Sequence, residues 1–297
     1  MDVHRYLGIL YKSIVFATWI GYQISHSWYV RMTVITKMDV ELQLKHVGYA
    51  LLPRFDSSYR LIDCYPSYEN LLDGMPLLHR LFEGLSERLK SHSVQPIVMA
   101  YENDGHAFTH ITPARSDHKS MTALRGHTDG AFLHLPHESA TNQLIIPEVI
   151  GLFCIRNPAG VSTTLYTLSE LKRRLSKKTW LQMQKPEFLI GIQASWKMPV
   201  DFDLHTVARP LVVMGRDGSE LVRFSHSGVR ALSSEAESAL TEFKRVLPTA
   251  EFNLKLNPGD LLLINNHRAV HGRAAAPNMD SMIARRRWLL RFYATNQ

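Results

Sequence analysis

The run Arg125-Gly126-His127-Thr128-Asp129-Gly130 carries the clearest chemical potential in this sequence. On an extended strand His127 and Asp129 project to the same face. A neutral imidazole and a carboxylate on one face can grip a single metal ion. A second histidine brought in from elsewhere gives two nitrogen ligands and one carboxylate, and leaves coordination positions open. That is the arrangement of non-haem Fe(II) oxygenases. The plainer alternative for a lone His-x-Asp triplet is a surface turn closed by a His–Asp hydrogen bond.

A candidate for the distant ligand lies in Asn265-Asn266-His267-Arg268-Ala269-Val270-His271-Gly272-Arg273, which follows the apolar run Leu261-Leu262-Leu263-Ile264. His271 can supply the third ligand, and His267 competes with it. On one continuous strand the two would sit ~13 Å apart, so only one reaches a given metal unless the backbone turns between them. A third feature is Arg285-Arg286-Arg287-Trp288-Leu289-Leu290-Arg291-Phe292-Tyr293. As a strand, it places Arg287, Leu289 and Arg291 on one face and Trp288, Leu290 and Phe292 on the other. Two guanidinium groups pointing into one cavity suit two carboxylates, because the fork of an arginine matches a carboxylate bidentately. The competing reading is a solvated basic edge strand. Among the 15 histidines, His134, His137, His205 and His226 read as surface or internally satisfied residues, since three protein ligands suffice for such a metal.

The elements that must position these residues are mostly short strands. Apolar, β-rich runs occur over Gly48 to Pro53, Pro96 to Tyr101, Ile150 to Ile155, Leu211 to Met214, Leu221 to Phe224, Asp260 to Ile264 and Trp288 to Tyr293. The turn Asn257-Pro258-Gly259-Asp260 sits just before one of them. Helical spacing of apolar residues marks Asn70 to Ser91, Thr167 to Gln184 and Ser233 to Leu247, the last with Ser233 or Ser234 as N-cap and Glu235 and Glu237 in its first turn. Strands and helices do not alternate regularly, which disfavours a doubly wound parallel sheet. The pattern predicts a mainly β fold with flanking helices, an antiparallel sandwich or barrel.

Composition agrees with one globular unit. The chain has 297 residues, 45% hydrophobic and 21% charged, ordinary globular usage that excludes disordered and low-complexity classes. A formal net charge of +7 favours anionic partners. Two cysteines, Cys64 and Cys154, exclude a disulfide framework and a cysteine zinc cluster and point to a reducing, cytoplasmic setting. The stretch Tyr6 to Ile24 approaches the length of a membrane span, but Lys12 interrupts it and its flanks do not fit a secretory signal. Residues 1–31 therefore read as an extension, helical or non-native, with Met32 as an alternative start. Residues 32–297 read as a single domain, with neither membrane nor nucleic acid as a partner.

Taken together, these motifs resemble the clavaminate synthase-like branch of the Fe(II)/2-oxoglutarate-dependent oxygenases, within the taurine dioxygenase-like superfamily. His127-Thr128-Asp129-Gly130-Ala131-Phe132 is similar to the first metal motif. Leu152-Phe153-Cys154-Ile155-Arg156-Asn157, followed by Thr164-Leu165, resembles the next strand pair. Asn266 to Arg273 and Arg287-Trp288-Leu289-x-Arg291 resemble the C-terminal signature. The likeness is clearest from about Pro96 onward. It implies a double-stranded β-helix, or jelly roll, with Fe(II), 2-oxoglutarate and O2 at its mouth. It also implies His127, Asp129 and His271 as catalytic metal ligands, Arg287 with Thr164 as the cosubstrate clamp, and Arg291 on a substrate carboxylate. The segment between His271 and Arg287 is about two residues longer than the family pattern, which makes Arg285 a rival for the clamp; the Trp-Leu-x-Arg context favours Arg287. A carboxylate at Asp129 separates the chain from the radical halogenases of the superfamily, which carry a small residue there. The resemblance thus implies a dioxygenase that hydroxylates an unactivated C–H bond of an amino acid or derivative, free or carrier-linked, in specialised metabolism; desaturation and cyclisation are variants of the same chemistry. Acidic residues expected after Leu221 in hydroxylases of basic amino acids are absent from Arg223 to Arg230. Two other classes compete with this reading. A nucleic-acid demethylase or binding protein would use the basic cluster Arg285 to Arg287, and a jelly-roll binding protein would have no catalytic activity.

Overall fold

A computed structural model describes residues 37–56, 76–113, 121–136, 138, 144–250, 252–278 and 282–296. The expectations for residues 1–31, for Cys64, for Asn70 to Met75 and for His137 lie outside the described residues.

Two strands with continuous apolar sequence, β5 (Val149–Arg156) and β12 (Leu261–Asn265), are buried on both faces and lie at the centre of the larger sheet. That is where an uninterrupted apolar run belongs, because no residue of it tolerates water. β12 pairs on its outer side with β1 (Tyr49–Leu52) and on its inner side with β5. β5 then pairs with β14 (Trp288–Asn296), the longest strand. On its far side β14 takes β3 (Phe108–Ile111) along its first half and β2 (Val94–Ile97) along its second. A second sheet runs β11 (Phe252–Leu254), β6 (Thr163–Thr167), β13 (Ala269–Arg273) and β4 (Leu124–His127). Every pairing in both sheets is antiparallel. The sheets face each other across an apolar core that includes Ile150, Leu152, Cys154, Leu262, Ile264 and Leu289 from the first and Leu165 from the second. This is the double-stranded β-helix that the motifs imply.

Short strands β7 (Phe188–Ile190), β8 (Val212–Met214), β9 (Glu220–Val222) and β10 (Val229–Ala231) form two further ribbons. Of the helices, α1 (Lys37–His46) precedes β1, and α2 (Pro76–Ser91) occupies the described part of the first expected helix. The helix expected over Thr167 to Gln184 is two helices, α3 (Leu168–Arg174) and α4 (Lys177–Gln182). Leu175 and Ser176 are extended between them, and the Ser176 hydroxyl accepts from the Thr179 amide to cap the second. α5 (Ser234–Val246) is capped by Ser233, whose hydroxyl accepts from the Ala236 amide at 3.1 Å. In the expected turn, Gly259 has φ +89° and the Asp260 carboxylate accepts from the amides of Arg54 and Asn257, tying the entry of β12 to the end of β1. Among the described residues no helix is long and apolar enough to cross a membrane.

Candidate metal centre

β4 and β13 are neighbours in the smaller sheet, and their register sets His127 directly opposite His271. Opposed residues of an antiparallel pair share a face, so both imidazoles enter the space between the sheets. Their ring centroids are 4.4 Å apart. The chain leaves β4 at His127 and brings Asp129 back beside them. Asp129 Oδ1 lies 3.3 Å from His127 Nε2 and 3.8 Å from His271 Nε2. The three ligand atoms all lie within 4.8 Å of one another, and among the described residues this is the one such group of His, Cys, Asp or Glu. Two glycines allow the approach. A Cβ on Gly272 would meet Leu124 O at 2.4 Å and Thr164 Oγ1 at 2.7 Å, so a side chain beside His271 would push β4 away. Gly130 turns the chain after Asp129 with φ +67°, a conformation that L side chains rarely adopt.

The donor chemistry suits a divalent metal. His127 Nδ1 lies 3.0 Å from the Arg125 carbonyl, which can only accept. Nδ1 therefore carries the proton, and the Nε2 lone pair faces Asp129 and the space between the ligands. Burial pushes the His271 imidazole down to about 3, with His127 and Arg291 adding to the effect against Asp129, so this ring is neutral and available as a ligand. Burial acts to raise Asp129, but the Arg291 guanidinium and the two histidines beside it outweigh burial and hold the carboxyl well below the usual carboxylate range. The group thus offers two imidazole nitrogens and a carboxylate, a donor set that suits Fe(II).

The backbone under Asp129 is clamped from both sides by amide side chains. Asn266 Oδ1 accepts from the Asp129 amide at 2.9 Å, and its Nδ2 donates to the carbonyls of Asp129 and Pro147 at 2.8 and 3.0 Å. Gln193 accepts from the Gly130 amide at 2.6 Å and donates to the Thr128 carbonyl at 2.9 Å. His267 plays a different part. β12 ends before it, its ring is buried against the Ile146 carbonyl at 3.1 Å, and it stands outside the metal-ligating group. His134, His205 and His226 are outside it as well. His205 stacks on Phe202 and His226 contacts Arg125.

β14 forms the opposite wall. Arg291 and Tyr293 both reach the metal side, donating to Asp129 Oδ2 at 3.2 and 3.1 Å. The second Arg291 nitrogen donates to Glu102, a buried residue of the loop that follows β2. Burial would lower the Arg291 guanidinium, but Tyr293, Asp129 and Glu102 outweigh it and hold it above its ordinary value. Burial raises the Glu102 carboxyl above its usual range despite Arg291. Neither Glu102 nor Tyr293 was singled out by motif. Tyr293 shares the alternation of Arg291 and could be read from it, whereas Glu102 has no local signal.

Arg287 precedes β14 and is 4% exposed, while Arg286 is exposed and Arg285 half-buried. The cluster is therefore not a continuous basic surface. Burial, with Arg273 beside it, pushes the Arg287 guanidinium down to about 10, and its Nε has no hydrogen-bond partner. Arg273 and Arg287 line one small cavity with Met121, Val161 and Ala284. Among the described residues no carboxylate lines this cavity, which brings two cations together. Thr164 lies opposite Gly272 in the register of β6 on β13, and its buried hydroxyl has no hydrogen-bond partner among the described residues.

Residues 71–293 match the family described as Taurine catabolism dioxygenase TauD, TfdA family. L-lysine 3-hydroxylase of Catenulispora acidiphila is 27% identical over 188 residues, which is 62% of this chain and 51% of that protein. Enduracididine beta-hydroxylase of Streptomyces hygroscopicus is 25% identical over 206 residues, 60% of this chain and 57% of the other. The chain thus spans little more than half the length of either. Among solved structures, asparagine oxygenase in complex with Fe(II), 2S,3S-3-hydroxyasparagine and succinate is similar with a TM-score of 0.69 at 17% identity, covering 88% of this chain and 79% of that one. The non-heme iron oxygenase OrfP in complex with Fe and L-Arg is similar with a TM-score of 0.66 at 24% identity, covering 86% and 78%. At these identities the two structures bear on the fold.

Proposed function

Because the chain belongs to the taurine catabolism dioxygenase TauD, TfdA family, we propose that it is an Fe(II)- and 2-oxoglutarate-dependent hydroxylase of a free amino acid or a close derivative. The observation that carries this reading is the joining of the His127–Asp129–His271 group to an Arg291–Glu102 pair in one buried site. When bound, Fe(II) with 2-oxoglutarate and O2 supplies the oxidation: 2-oxoglutarate loses CO2 to become succinate, and one oxygen atom of O2 converts a substrate C–H to C–OH.

The protein's part is binding and orientation. His127, Asp129 and His271 would hold the metal. Arg287, a buried cation with no described carboxylate paired to it, would take the distal carboxylate of 2-oxoglutarate, with the unpartnered Thr164 hydroxyl assisting. Arg291 and Glu102 suit a zwitterion. The α-carboxylate would displace Glu102 from Arg291, and the freed Glu102 would accept the α-ammonium. A thioester-linked acyl group lacks that carboxylate, so this arrangement favours the free amino acid over a carrier-linked one. Lysine, arginine, asparagine or their products are named for the relatives. In this chain, Arg223, in the segment after β9, is fully buried against the Leu133 carbonyl and Glu138, and no acid follows it as far as Arg230. A neutral or polar side chain is the better fit. The free, buried thiol of Cys154 accords with a cytoplasmic setting.

The test is a screen of the purified protein with Fe(II), ascorbate and 2-oxoglutarate against free amino acids and their amides. Succinate and a product heavier by one oxygen atom are the expected readouts. Succinate formation that no free amino acid stimulates would refute the substrate class, and no iron-dependent succinate at all would refute the enzyme.

A further inference from the structure

We infer that Tyr293 is a positioning residue for the metal carboxylate: its hydroxyl engages Asp129 Oδ2 and leaves Oδ1 as the one ligating oxygen. The inference rests on the metal centre proposed above. The two oxygens of Asp129 have different surroundings. Oδ1 faces His127 Nε2 at 3.3 Å and His271 Nε2 at 3.8 Å. Oδ2 receives Tyr293 Oη at 3.1 Å and Arg291 Nη1 at 3.2 Å. A carboxylate can bind a metal through one oxygen or through both. An oxygen that already accepts two directed donors is poorly placed to ligate, so the pair of donors selects binding through Oδ1.

Two further observations assign the task to Tyr293 in particular. The first is rigidity. Its ring is 4% exposed, stacks on Trp196 at 6.3 Å, and lies under the Arg291 guanidinium at 4.9 Å, so the hydroxyl has a fixed direction. The second is the divided loyalty of Arg291, which also donates to Glu102. On the proposed reading Arg291 turns toward the substrate carboxylate. Tyr293 is then the donor that stays on Oδ2 when Arg291 changes partner. Asn266 and Gln193 hold the backbone at Asp129 but touch neither carboxylate oxygen, so the side-chain orientation falls to the β14 pair.

The test uses Co(II) as the metal probe on the full chain, comparing wild type, Tyr293→Phe and His271→Ala. Calorimetry reads affinity, visible absorption reads coordination, and melting of the metal-free protein reads fold. Tyr293→Phe keeps the ring and its stacking, so the metal-free protein should stay folded, its melting temperature lowered only by the lost bond to Asp129. Its Co(II) affinity should fall about ten-fold or more, the usual effect of losing an outer-sphere partner. Its d–d bands should shift as Oδ2 becomes available. A Tyr293→Phe protein with the wild-type cobalt spectrum overturns the inference, whatever its melting temperature. Wild type that binds no Co(II), or His271→Ala that binds it as well as wild type, overturns instead the metal centre on which the inference stands.

Discussion

Replacing Arg287 by methionine should make the ligand-free protein more stable and the protein blind to 2-oxoglutarate. The guanidinium is 4% exposed, and burial with Arg273 nearby pushes it from its ordinary value down to about 10, a fall of about two units. Each pKa unit corresponds to ~1.36 kcal/mol, so the charged form is disfavoured in the folded protein by about 3 kcal/mol. Methionine keeps most of the volume and removes the charge. Relief of up to ~3 kcal/mol would raise the melting temperature of a domain this size by several degrees, at ~2–4 °C per kcal/mol. A bound dicarboxylate would relieve the same charge in the wild type. Removing one partner of a buried pair costs ~3–5 kcal/mol, which weakens 2-oxoglutarate binding by roughly a hundred-fold or more. Thermal melts with and without 2-oxoglutarate, on Mn(II)-loaded protein without oxygen, give both numbers. Arg285→Met serves as the control, and should leave 2-oxoglutarate binding unchanged. If Arg287→Met melts lower than wild type and keeps its 2-oxoglutarate shift, the guanidinium is a structural group and the reasoning fails.

His271→Ala should abolish iron-dependent turnover, whereas His267→Ala should leave metal affinity intact and lower stability through the lost contact with the Ile146 carbonyl; reversed results would exchange their roles. Arg291→Ala should raise the substrate Michaelis constant ten- to a hundred-fold, the worth of a charge-assisted bond at ~1.5–3 kcal/mol, while succinate formation without substrate oxidation persists. A substrate amide that suffers equally with both proteins would remove Arg291 from the pocket. His110 accepts from Trp288 Nε1 at 2.9 Å and burial takes it from 6.5 to about 4. Its folded pKa lies below its unfolded one, so its stability contribution is complete above pH 6.5 and is lost as pH falls toward 4, by at most ~3 kcal/mol. Urea midpoints at pH 7 and pH 4.5 should differ more for wild type than for His110→Gln, and equal differences would exclude this histidine as the source.

The metal motif was readable because it obeys a local rule. His127 and Asp129 alternate along one short stretch, and His271 follows an apolar strand whose composition leaves little doubt about its burial. The same alternation carries from Arg291 to Tyr293. Other parts depended on contacts that the chain makes only after folding. Glu102 meets Arg291 across 189 positions and Asn266 meets Asp129 across 137, and nothing near either residue announces its partner. Thr164 is marked by the Thr-Leu pair that contains it, but that its hydroxyl is buried without a partner depends on the packing of β6 against β13. The long helix expected over Thr167 to Gln184 failed on a capping serine: the apolar stripe continues through Leu175, but Ser176 starts a new helix instead of extending the old one. β7, β10 and β11 have three residues each and no run of apolar neighbours long enough to mark them, unlike the equally short β8.

Gln193 gives the fold an unusual economy of parts. It belongs to the stretch of chain from 191 to 210, which has no strand of its own and also carries Trp196 against Phe132 and Tyr293. Through one amide this stretch grips the peptide groups on either side of Asp129. The stretch is bolted to the backbone that carries Asp129, so a graft that omits an amide at 193 would disturb the proposed metal centre as well. Chimeras of this protein should be cut so that Gln193 travels with Thr128, Asp129 and Gly130 as one inherited block.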